Sequence, residues 1–153
     1  MIEDLTPEAG PLEALEQRLG HVFQDRDLLL QALTHASYAH EHPPARDNER
    51  LAWLGDAVLA LVVTERLWAT DPEEPVGVLT ARRAELVSGA TLARWASRLE
   101  LGELLRLGRG ERLSGGGEKQ SVLATAFEAV LGAVCLDGGL PAARAVVARL
   151  SMW

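Results

Sequence analysis

The chain has 153 residues, 48% hydrophobic and 24% charged, which fits one globular domain and excludes a disordered polymer. Fifteen basic against 22 acidic residues leave a net charge of −7, which excludes a strongly cationic, autonomous nucleic-acid binder but not a site that gathers a divalent cation. Cys135 is the single cysteine, so no intrachain disulfide can form and a reducing cytoplasm is the expected setting.

Residues 1–10 read as an acidic tail, 11–150 as one helical domain and 151–153 as its C-terminal end. The first ten residues lack the basic and apolar regions of a signal peptide, and no apolar run approaches the ~20 residues of a membrane span. Pro11 suits the first turn of a helix that runs to Leu19 and stops at Gly20. Asp25 is placed to cap a second helix through RDLLLQAL. From Thr34 to Asp47, three histidines and Pro43-Pro44 predict a loop with about one turn of helix. A long helix follows from about Asp47 to Trp68, capped by Asp47 or Asn48. Its Leu51, Leu54, Val58, Leu61, Val62 and Leu67 recur at helical spacing. ATDPEEP breaks it. VGVLTARRAELV and ATLARWASRL predict two further helices, with Ser88 and Gly89 between them. RGERLSGGGEKQ holds four of the fourteen glycines and reads as a flexible surface loop. A helix from about Lys119 to Leu136 ends at DGG, and Pro141 opens a last one to Leu150. No strand pattern and no internal repeat interrupts this series, so the predicted fold class is all-α.

Two of these helices can present acids to a common site. Positions 49, 52 and 56 share a helix face and carry Glu49, Ala52 and Asp56. Thr125 and Glu128 share a face on the later helix. Asp56 and Glu128 stand out because each lies in an otherwise apolar helical run. One carboxylate from each of two packed helices suffices for a weak Mg²⁺ site, whereas tight binding or a second ion needs more ligands. An equally open reading makes each a buried acid satisfied by a nearby Arg or amide. Glu49 lies ~10 Å from Asp56 along the helix axis, so it cannot simply replace residue 52. His40 and His42 flank Glu41 but lack further ligands at zinc spacing. Cys135 sits among apolar neighbours and reads as a buried, inert thiol.

NERLAWLGDAVLALVV resembles the signature of the ribonuclease III family, usually N-E-R-L-E-F-L-G-D followed by a small residue. LLLQALTHASY is similar to that family's upstream motif, and GGGEKQSVLATAFEAVLGAVCLDGG to its G-x-x-K-x-S-I-L-A-D-x-F-E-A-L-I-G-A-x-Y-L-D-G-G. The resemblance spans roughly residues 12–150. It implies an all-helical endonuclease domain that pairs into a two-fold dimer and cleaves double-stranded RNA with Mg²⁺, leaving 5′-phosphate and 3′-hydroxyl ends. Carried over residue by residue, it assigns the metal ligands Asp56 and Glu128 and a supporting role to Glu49. Two positions are degenerate: the family's second motif glutamate falls on Ala52, and its aspartate in the second cluster on Thr125. The resemblance also implies a C-terminal domain that grips double-stranded RNA, which is not found before Trp153. For RNA backbone contact, the best local candidates are Arg106, Arg109, Arg112 and Lys119. Arg82 and Arg83 suit a solvated face or ion pairs, His35 a helix-end hydrogen bond, and Trp53 and Phe127 core or dimer-interface packing. The expectation is a protein whose cleavage is strongly impaired or lost, with weak or no Mg²⁺ binding. Such a homodimer would serve as a binding module or as partner to another protein or an active paralogue. The alternative is a weak double-stranded RNA endonuclease using Asp56 and Glu128.

Overall fold

The computed structural model describes residues 9–151, which are helical apart from their connections and one isolated bridge between Thr34 and Arg106. In order, the helices are α1 (Ala9–Leu19), α2 (Arg26–Ala32), α3 (Ala36–Glu41), α4 (Glu49–Thr70) and α5 (Val76–Leu86). There follow α6 (Gly89–Arg98), α7 (Leu101–Leu104), α8 (Arg109–Leu113), a 3-10 turn at Gly116–Glu118 and α9 (Gln120–Ser151). Most of the acidic tail expected over 1–10 lies outside the described residues, as do 152 and 153.

The local signals act as their chemistry requires. Gly20 adopts φ 73° and stops α1, and the Arg149 guanidinium donates to the Arg18 carbonyl at 3.0 Å. The Asp25 carboxylate accepts the Asp27 N–H at 3.0 Å, and Ser88 Oγ accepts the Thr91 N–H at 3.2 Å. At the start of α4 the work is divided. Asp47 takes the Glu49 N–H at 3.0 Å, while the buried Asn48 amide donates to the Ala32 carbonyl at 3.1 Å. Gly139, at φ 79° and ψ 177°, breaks α9, so Pro141 stands in the first turn of a second segment.

The core forms where α4 crosses α9. Leu59, Val63, Phe127, Val130, Leu131 and Val134 are fully enclosed there, and Trp95 of α6 meets Phe127 edge-on at 5.4 Å. Each such side chain contributes about 1.5–3 kcal/mol through its removal from water. Two facing glycines set the crossing distance. A Cβ on Gly55 would overlap the Glu128 carbonyl oxygen, and one on Gly132 would overlap the Leu51 carbonyl oxygen.

Four expectations change. The turn of helix expected after Thr34 extends to the six residues of α3, which His35 caps. The glycine-rich segment is ordered as α8 and the 3-10 turn: Gly116 is buried, and a Cβ on Gly102 would overlap the Gly117 carbonyl oxygen. These glycines permit close backbone approach, and composition alone does not distinguish that from flexibility. Leu61 lies outside the buried arc of α4 and is exposed, as are Trp53 (80%) and Trp68 (77%). Finally, α9 is long and apolar enough by composition to cross a membrane, but most of its apolar stretch is buried within the fold.

Candidate active site

Asp56 follows the glycine that touches the backbone of Glu128, so the contact that packs α4 on α9 also brings the two acids together. Asp56 is exposed and Glu128 half-buried. Burial raises the Glu128 carboxyl to about 7, helped by the Asp56 charge and by a hydrogen bond with Asp56. Neither acid forms an ion pair with Lys or Arg among the described residues. Acids satisfied by arginine occur elsewhere, at Glu16–Arg26, Glu65–Arg144 and Asp71–Arg82. Two oxygen-donor groups that repel each other when both are ionised suit a hard divalent cation, which would relieve that repulsion. The donor set therefore fits Mg²⁺, thinly: among the described residues no three His, Cys, Asp or Glu side chains converge as metal ligands.

The degenerate positions differ in setting. Ala52 is 8% exposed and belongs to the hydrophobic core, with no ligand atom to offer. Thr125, one turn before Glu128, lines a cavity of about 170 Å³ with His35, Asn48, Glu49, Ser121 and Val122. Glu49 and Thr125 thus line the same cavity.

The four basic candidates separate. Arg106 lies 4.8 Å over the Tyr38 ring and donates from Nη2 to Thr34 Oγ1 at 2.7 Å, which anchors it in the fold. Lys119 pairs with Glu111 at 2.8 Å, and Arg112 donates to the Leu107 carbonyl at 3.1 Å while remaining exposed. Arg109 is exposed at the start of α8. Arg82 pairs with Asp71, and Arg83 donates to Thr64 Oγ1 at 3.1 Å. His42 stacks on Tyr38 at 4.0 Å. Phe127 is core, whereas Trp53 is a surface residue of the single chain. Cys135 is only partly buried. Sequence reasoning missed the open cavity beside Thr125; the spacing of His35 and Ser37 at a helix start was its signal.

The family described as Ribonuclease-III-like matches residues 25–152. Ribonuclease 3 of Caldanaerobacter subterraneus is 49% identical over 140 residues, which is 91% of this chain and 61% of that protein. Ribonuclease 3 of Streptomyces coelicolor is 52% identical over 136 residues, 89% of this chain and 49% of the relative. The chain thus spans about half to three-fifths of the length of these relatives. The nuclease domain of ribonuclease III from Campylobacter jejuni superposes with a TM-score of 0.85 at 41% identity, covering 91% of this chain and 94% of the other. That structure is described by flexibility in a region involved in dimer formation. A helix crossing built on Gly55 and Gly132, acids from both helices and this extent of similarity lead to one conclusion: the chain belongs to the ribonuclease III family.

Proposed function

We propose that this protein engages double-stranded RNA as a cytoplasmic homodimer and that its Mg²⁺-dependent cleavage is strongly impaired. The observation that carries this is the half-equipped crossing: Asp56 and Glu128 meet, but Ala52 and Thr125 contribute no carboxylate. A bound Mg²⁺ supplies a more acidic water and neutralises charge on the phosphate. Asp56 and Glu128 would hold that ion from opposite helices, and the Gly55–Gly132 contact fixes their separation. With two ligands in place of four, the ion is held weakly and its position is poorly set. A loss of about 2.7 kcal/mol in transition-state stabilisation per missing group already lowers the rate roughly a hundredfold.

Exposed Arg109 and Arg112 on α8 are the candidates for the RNA backbone, Arg112 steadied by the Leu107 carbonyl, with Lys119 nearby and shared with Glu111. Support for the homodimer comes from exposed Trp53, which lines a groove of about 710 Å³ with Leu28, Leu51, Leu54 and Leu136 on its apolar side and Gln31, Arg46, Asp47 and Arg50 on its polar side. A second reading, slow cleavage by the surviving pair, is favoured by one observation: Glu128 already sits against Asp56, so both can reach one cation.

The test is cleavage of a perfect RNA duplex in Mg²⁺ by the native protein and by Ala52→Glu/Thr125→Asp. The native chain is expected to cut weakly or undetectably, and the double variant at least about a hundredfold faster. Brisk cutting by the native chain would overturn impairment. Silence from a folded double variant that still binds duplex would instead support a binding role.

A further inference from the structure

Where α7 meets α8 and the 3-10 turn, two adjoining pockets of about 590 and 550 Å³ form one groove, since Gly102, Glu103, Gly117 and Glu118 line both. The junction is bare backbone. A Cβ on Gly117 would come within 2.9 Å of the Gly102 carbonyl oxygen, so side chains are excluded from both positions. The two ends differ in chemistry. One is apolar, lined by Pro11, Leu104, Leu105, Leu107 and Leu113, and Leu113 is 77% exposed. A leucine left in water at the edge of a groove is area that a bound partner can bury. The other end is acidic. Glu103 and Glu118 are exposed, and neither side chain has an ion pair or hydrogen bond among the described residues. Glu100, also at this end, is held by Arg18 at 3.1 Å. The neighbouring cations are engaged: Arg112, at the apolar end, donates to the Leu107 carbonyl, and Lys119 pairs with Glu111.

We propose that this groove docks a short polypeptide segment that carries a leucine-sized apolar residue beside lysine or arginine. The apolar residue enters the end lined by Leu104, Leu107 and Leu113. The basic side chain lies against Glu103 and Glu118, where opposite charge sets direction and register. The same carboxylates disfavour other occupants. They repel phosphate, so nucleic acid is not the ligand. They also repel the chain's own first eight residues, which precede Pro11 of the groove but carry Glu3, Asp4 and Glu8. None of Asp56, Thr125 and Glu128 lines the groove, so this docking adds an interaction to the duplex-RNA reading without depending on it.

The test titrates three fluorescent peptides of about eight residues, ~26 Å when extended, built as alternating leucine–lysine, serine–lysine and leucine–glutamate. The leucine–lysine peptide is expected to bind at least about fivefold tighter than either control and to weaken in salt. It should also move the backbone amide NMR signals of Gly102, Leu113 and Gly117. Glu103→Lys/Glu118→Lys should lower its affinity about fivefold or more. Glu73→Lys/Glu74→Lys makes the same charge change in the exposed α4–α5 connection and should lower it by under about twofold. Should the groove variant fail to fold, Leu113→Ser on an exposed side chain must weaken binding instead. Equal binding of the serine–lysine peptide, or equal loss in the two charge variants, would reveal attraction to net charge alone and overturn the proposal. Unmoved amide signals would overturn it as well. So would signals that move with Ile2→Ser/Leu5→Ser, marking the chain's own N-terminal segment as the occupant, or with protein concentration, marking a second copy.

Discussion

Two acids on α9, nine residues apart, meet opposite fates. Asp137, with a side chain only 3% exposed, accepts from the Asp25 N–H at 2.9 Å and the Gln24 N–H at 3.1 Å, and lies 2.8 Å from His21 Nε2. Burial alone would raise its carboxyl; the hydrogen bonds from Asp25, His21 and Gln24 outweigh that and hold it below the usual aspartate range. Glu128 has burial and a second acid, and it rises to about 7. Asp137 is spent on joining α9, just before its break at Gly139, to the α1–α2 connection. Glu128 is left available for chemistry. The contrast teaches that the availability of a buried acid depends on its partners more than on its depth.

The most severe way to break this contrast is to push the helices apart. Gly132→Leu is expected to cost about 3 kcal/mol or more, or to prevent folding, because its Cβ meets the Leu51 carbonyl. Urea unfolding measures this, and a near-native midpoint would show that the crossing is looser than described. Next, Asp137→Ala removes three partners at once and should cost about 2 kcal/mol at neutral pH. Because the folded pKa of Asp137 is depressed, its contribution is present above the unfolded value and lost as pH falls through the folded one. Asp137→Asn should therefore flatten the acid limb of the stability curve.

Glu128 works in the opposite sense. Its folded pKa lies above the ordinary carboxyl value of 4.5, so between 4.5 and about 7 the folded state binds more protons than the unfolded. Its stabilising contribution is full below that window and is lost as pH rises through it. Glu128→Gln should then be the more stable protein at about pH 8, by roughly 1 kcal/mol after allowing for solvent around a half-exposed group. Added Mg²⁺ should raise the thermal midpoint of the native protein but not of this variant. A variant less stable than the native protein at that pH would show that the Asp56–Glu128 contact is favourable when both are ionised.

The helical fold was readable because most of its signals are local. Asp25, Ser88, Gly20 and the apolar spacing of α4 each act within a few residues. Asp56 and Glu128 were readable as acids in apolar runs, but their contact depends on Gly55 and Gly132, which matter only once two helices are packed. The order of the glycine-rich segment also escaped, because it comes from the approach of Gly117 to Gly102 on α7. The loss of Arg106 as a free cation was equally hidden, since Thr34 and Tyr38 lie some seventy residues earlier in the chain.

The central claim is that Asp56 and Glu128 form a cation site with too few ligands to hold its ion tightly. Calorimetric titration of Mg²⁺ at about pH 8 tests it most directly. The account predicts weak binding by the native protein, none by Glu128→Gln, and binding at least about tenfold tighter by Ala52→Glu/Thr125→Asp. Undiminished Mg²⁺ binding by Glu128→Gln would contradict it.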